Sequence, residues 1–92
     1  MQVNFRYSDT DLIAYLMTIG YSYSKIEITN KDNRVKAYAH FIGEKEDLLR
    51  IQEVYKSGES KINIYEFSNH RKMITKVFKE EISKINNTPI RL

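Results

Sequence analysis

Residues 21–42 constrain the fold more than any other part of the chain. Apolar and polar side chains alternate along Tyr21–Thr29 and again along Arg34–Ile42, and the turn-forming run Asn30-Lys31-Asp32-Asn33 separates the two stretches. Alternation on both sides of a short polar turn is the pattern of a β-hairpin, so the fold must contain an antiparallel sheet. Ile26 and Ile28 share a face that Val35, Ala37, Ala39 and Phe41 match from the second strand. Successive side chains of a strand point to opposite sides, so the other face carries Tyr21, Tyr23, Lys25, Lys36, Tyr38 and His40.

The flanking segments add one strand and three helices. Val3, Phe5 and Tyr7 alternate with Gln2, Asn4 and Arg6, the period of a half-buried edge strand. A helix over Asp9–Ile19 follows, with Ser8 as cap, Tyr7 and Leu12 as staple, and Leu12, Ile13, Leu16 and Ile19 as its buried stripe. Gly20 is suited to the left-handed position after it. A second helix opens within Gly43–Asp47, where acidic residues complement the dipole, and ends near Lys56 and Gly58; its apolar stripe is Leu48, Ile51 and Tyr55. Asn63 caps a third helix from Ile64 to about Ile85, with Glu66 placed for a capping box and Ile62 and Phe67 for a staple. Phe67, Ile74, Val77, Phe78, Ile82 and Ile85 face inward from it. Asn86-Asn87-Thr88-Pro89 is the expected stop, leaving Ile90–Leu92 as a frayed tail or a short added strand.

These segments make one α+β domain over residues 1–92, in the order β-α-β-β-α-α. A small antiparallel sheet of about three strands with three helices on one side is the most economical packing. Its other face must be solvated, covered by the third helix, or paired with a partner or a second copy, which would make a homodimer. The chain is 41% apolar and 29% charged, the balance of a globular domain. No apolar run approaches the roughly 20 residues of a membrane span, and Met1–Arg6 lacks the basic start and apolar core of a signal peptide. The expected location is the cytoplasm of the producing or infected cell.

Several chemistries are excluded or lack their residues. With no cysteine there is no disulfide, thiolate metal site or cysteine nucleophile. His40 and His70 have no ligand or triad partner at motif spacing; Glu66 and His70, one helical turn apart, read as an exposed charged pair. The three glycines stand beside helix ends rather than in a phosphate-cradling loop. The expectation is a non-enzymatic protein with no cofactor and no metal.

Two surfaces are candidates for binding. Tyr21, Tyr23, Tyr38 and His40 beside Lys25 and Lys36 resemble a stacking platform for single-stranded nucleic acid or a nucleotide; a covering helix or second subunit is the commoner reason for such rings, since tyrosine is frequent in strands for packing alone. On the third helix Lys72, Lys76 and Lys79 share one face, with Arg71 beside them and Lys84 extending the row. Such a stripe fits a phosphate backbone or an acidic protein patch, but Glu80 stands at helical spacing from Lys76 and Lys84 and would neutralise part of it, which favours an ordinary solvated helix face.

The run Ser8-Asp9-Thr10-Asp11-Leu12-Ile13-Ala14-Tyr15-Leu16 through Thr18-Ile19-Gly20-Tyr21 resembles the opening of a family of small proteins from phages and prophages of AT-rich Gram-positive bacteria. The Asn63-Ile64-Tyr65-Glu66-Phe67 segment, leading into a Lys-rich final helix, is similar too. The resemblance implies a mobile-element accessory protein of the anti-CRISPR or other anti-defence type. Its implied partner is a host defence protein such as a CRISPR effector, bound directly or at its nucleic-acid groove. The alternative is a small nucleic-acid- or nucleotide-binding module, a regulator or a sponge for a signalling nucleotide.

Overall fold

In the computed structural model, which describes residues 1–58 and 61–87, the elements are β1 (Gln2–Tyr7), α1 (Thr10–Thr18), β2 (Lys25–Lys31), β3 (Arg34–Glu44), α2 (Lys45–Ser57) and α3 (Ile64–Asn87). This is the expected α+β order. The strands form an antiparallel sheet in the order β1-β3-β2. Lys31 pairs with Arg34, which leaves Asp32 and Asn33 as a two-residue turn with φ of 52° and 64°. Both central residues of a type I′ turn need positive φ, and Asp and Asn accept it more readily than other side chains do.

The register sets Ile26 opposite Ala39, Ile28 opposite Ala37 and Phe5 opposite Phe41. One face of the sheet is therefore apolar, and the helices cover it. Ile13 and Leu16 of α1, Leu48 of α2 and Ile74 of α3 meet Phe41 in a fully buried core. Ala37 and Ala39 are small enough to let α3 approach the sheet closely, bringing in Ile74 and Phe78. The third helix packs on α1 and on this inner face, so it does not cover the opposite one.

Several local expectations change. Asp9, not Ser8, caps α1: its Oδ1 accepts from the Asp11 N–H at 2.9 Å and the Leu12 N–H at 3.4 Å. A carboxylate caps as well as a hydroxyl and adds charge at the positive end of the helix. Ile19 leaves the buried stripe and is 39% exposed, because the helix ends there in a Schellman motif. The Tyr21 N–H donates to the Leu16 carbonyl at 2.9 Å and the Gly20 N–H to the Met17 carbonyl at 3.1 Å, with Gly20 at φ 111°.

That motif turns the chain away from the strand path, so β2 begins at Lys25 rather than Tyr21. Tyr21 and Tyr23 pack against the core instead. β3 runs on to Glu44, so Gly43 lies in the strand and not at a helix opening. A Cβ at Gly43 would sit 3.3 Å from Tyr21 Cε2 and 3.5 Å from Leu48, so the missing side chain is the space the tyrosine ring fills.

The ends of α2 and α3 follow local chemistry. α2 stops at Gly58 in the left-handed conformation, φ 75°. At the start of α3, Asn63 Oδ1 accepts from the Glu66 N–H at 3.0 Å. The helix continues to Asn87, past the expected Ile85; the expected tail beyond it lies outside the described residues. Asn63→Ala removes one cap, and the expected result is a loss of about 1 kcal/mol, or a melting midpoint roughly 4–8 °C lower by circular dichroism. An unchanged midpoint would show that the cap bond contributes nothing.

Candidate functional site

The uncovered face of the sheet carries Asn4 and Arg6 from β1, Lys36, Tyr38 and His40 from β3, and Lys25 and Glu27 from β2. His40 is only 8% exposed although it lies on this side, because Arg6 and Lys25 flank it in register. Its Nε2 is 2.6 Å from Glu27 Oε1 and its Nδ1 is 3.2 Å from Asn4 Oδ1, so both ring nitrogens are placed to donate. Glu27 Oε2 accepts from Arg6 Nη1 at 3.1 Å. The Arg6 guanidinium lies 4.2 Å from the Tyr38 ring centroid, and Lys36 Nζ lies 5.6 Å from it.

The sheet face therefore brings together Lys36, Tyr38 and His40, with Lys25 beside His40, but not Tyr21 or Tyr23. The stacking platform expected on the hairpin is not assembled: two of its three tyrosines are elsewhere and the third already holds a guanidinium. Asn4, Arg6 and Glu27 complete the network. Their strand alternation put them on this face, but only the pairing of β1 with β3 shows that they meet His40.

Hydrogen bonds from His40 and then Arg6 hold the Glu27 carboxyl below its ordinary value. A lowered carboxylate pKa stabilises the fold above the unfolded-state value, and this stabilisation is lost as pH falls through the lower, folded-state one. The expected acid melt therefore has a Glu27-dependent limb below the usual glutamate range. Glu27→Gln should lower the melting midpoint at neutral pH and flatten that limb. Superimposable pH profiles of the two proteins would remove Glu27 from the account of acid stability.

The lysine row of α3 is exposed along its length. The helical rise sets Lys72, Lys76 and Lys79 about 6 and 4.5 Å apart along the axis. With Ser68, Arg71 and Thr75 they line a groove of about 470 Å³. Arg71 is anchored to α1, with Nε 2.6 Å from Asp11 Oδ1; the two lack hydrogen-bond alignment, so this is a charge contact. Lys84 meets Glu81 at 2.9 Å, and that contact raises its pKa. Among the described residues no carboxylate lies within ion-pair distance of Lys72, Lys76 or Lys79, so the expected neutralisation of Lys76 by Glu80 is not made.

A second concavity, lined by Met17, Gly20, Tyr21, Ser22, Tyr23 and His70, opens where the α1–β2 connection passes α3. His70 bonds Thr18 rather than forming a pair with Glu66. Among the described residues no group of three His, Cys, Asp or Glu side chains could hold a metal ion, and no helix is long and apolar enough to cross a membrane. Compared with protein-family models, curated proteins and solved structures, the chain matches none of them.

Proposed function

We propose that this protein is a non-catalytic inhibitor of the kind mobile elements carry, docking on an acidic surface of a host defence protein through the lysine face of α3. The observation that carries the reading is that three lysines share one exposed face of α3 with no carboxylate beside them among the described residues. Arg6, Arg50, Arg71 and Lys84 each have a carboxylate of this chain at ion-pair distance, whereas Lys72, Lys76 and Lys79 have none among the described residues. An uncompensated row of like charge attracts a surface of opposite sign and speeds its approach. The assignment to host defence rests on the resemblance of the Ser8–Tyr21 and Asn63–Phe67 segments.

Two other forms of the hypothesis are less well supported. A nucleic-acid groove on a defence protein is lined with cations, which the lysine face would repel. Binding nucleic acid directly draws on the same three lysines but lacks the stacking surface, and three phosphate contacts give a salt slope of only about −2.7 on duplex DNA.

The test is capture from host lysate, with and without nuclease, using the wild-type chain and a variant with Lys72 and Lys76 replaced by glutamate. The expected result is nuclease-resistant capture of one defence protein by the wild type alone, and inhibition of that protein's activity at stoichiometric addition. Capture of nucleic acid only, or equal capture by the charge-reversed variant, would sink the proposal.

A further inference from the structure

The cleft between α1, the α1–β2 connection and α3 is separate from the lysine face and shares no residue with it. We infer that it is a binding site for a neutral, planar heteroaromatic ring that carries an N–H donor, such as a nucleobase or an indole. Neither the proposed docking on a defence protein nor its failure bears on this site.

The local backbone first brings aromatic groups to the cleft. The Schellman motif fixes Tyr21 against Gly43, and the Ser24 N–H holds the connection to β3 by donating to the His40 carbonyl at 2.7 Å. Tyr21 and Tyr23 thus stand half-buried at the corner, with Met17 lining the cleft beside them. Tyrosine rings and a polarisable sulfur in the lining favour a flat, polarisable ligand.

The acceptor comes from His70. Thr18 Oγ1 lies 2.7 Å from the Ala14 carbonyl, which only accepts, so the single hydroxyl proton is directed there. The 3.0 Å contact between Thr18 Oγ1 and His70 Nδ1 must then be made by an N–H on Nδ1. In the neutral imidazole this leaves Nε2 as a bare acceptor, for which no partner is present among the described residues. His70 is among the residues lining the cleft, whereas its Nδ1 partner Thr18 is not.

Charge and size narrow the ligand further. No Lys, Arg, Asp or Glu lines the cleft, so a phosphate or carboxylate group gains nothing there. Its volume of about 470 Å³ lies in the range of small-molecule sites, roughly 300–1,000 Å³.

The experiment is a titration of the full chain with adenosine, guanosine, uridine and indole, following the Tyr21, Tyr23 and His70 resonances by NMR. Matched titrations use 1-methylindole, which lacks the donor, and the His70→Phe and Ser22→Trp variants, whose folding is checked by the dispersion of the remaining spectrum. The expected result is saturable shifts of these three residues with at least one donor-bearing ring. Affinity should fall tenfold or more on N-methylation or in His70→Phe, and saturable binding should vanish in Ser22→Trp, which fills the cleft from its exposed rim without touching the core. The inference is overturned by the absence of saturable shifts with all four rings. It is overturned equally by binding indifferent to N-methylation and to His70→Phe, or by AMP binding more than tenfold tighter than adenosine.

Discussion

Phe41→Ala is expected to destabilise the fold by about 3–5 kcal/mol, the largest effect of any single truncation in the sheet. Phe41 is fully buried on the central strand, opposite Phe5 of β1, and its ring centroid lies 6.0 Å from that of Tyr7. Its neighbours in the core, Ile13, Leu16 and Leu48, come from two different helices, so no single element can relax into the space. A loss of this size is a large share of the roughly 5–15 kcal/mol that holds a domain folded. Urea denaturation followed by circular dichroism measures it directly. A shift below about 1 kcal/mol would mean that the helices close over the cavity and that Phe41 is not the centre of the core.

Reversing all three lysines, Lys72→Glu with Lys76→Glu and Lys79→Glu, is expected to weaken partner binding by at least about 100-fold, since like charges brought together cost several kcal/mol. The three sites are exposed and glutamate is as good a helix former as lysine, so the helical spectrum and melting midpoint should change little. Arginine at the same positions should preserve capture, because it keeps the charge. The measurement is the affinity of the captured partner for each variant at two salt concentrations. Equal affinity in the wild type and the triple variant would place the docking surface elsewhere on the molecule.

The order and type of the elements were legible because each has its own period or cap: alternation in β1, β2 and β3, Asn63 before α3, Gly58 after α2. That Ile26 and Ile28 share the inward face with Ala37 and Ala39 followed from alternation alone, while their register is set by the two-residue turn. What alternation could not show was where β2 starts. Tyr21 and Tyr23 keep the strand's parity, but the backbone bonds that end α1 take them into the helix layer, and those bonds depend on three-dimensional closure around Gly20. The basic stripe of α3 was readable from helical spacing, while the lack of a carboxylate beside Lys72, Lys76 and Lys79 among the described residues depended on side-chain positions. The network around His40 was least legible, since it joins residues of β1 and β2 that never pair with each other and meet only across β3.

The tight Asp32–Asn33 turn has a consequence for the order in which β3 gains its neighbours. β2 and β3 are adjacent in sequence, so their zipper closes a loop of two residues and needs no other element in place. β1 must return to β3 across the whole of α1 and β2, a far longer closure with a larger entropic cost. Until β1 arrives, one edge of the central strand is open and Phe41 lacks the ring of Tyr7, so the stage at which the chain is most prone to pair with a neighbour is also the stage before its core is shut.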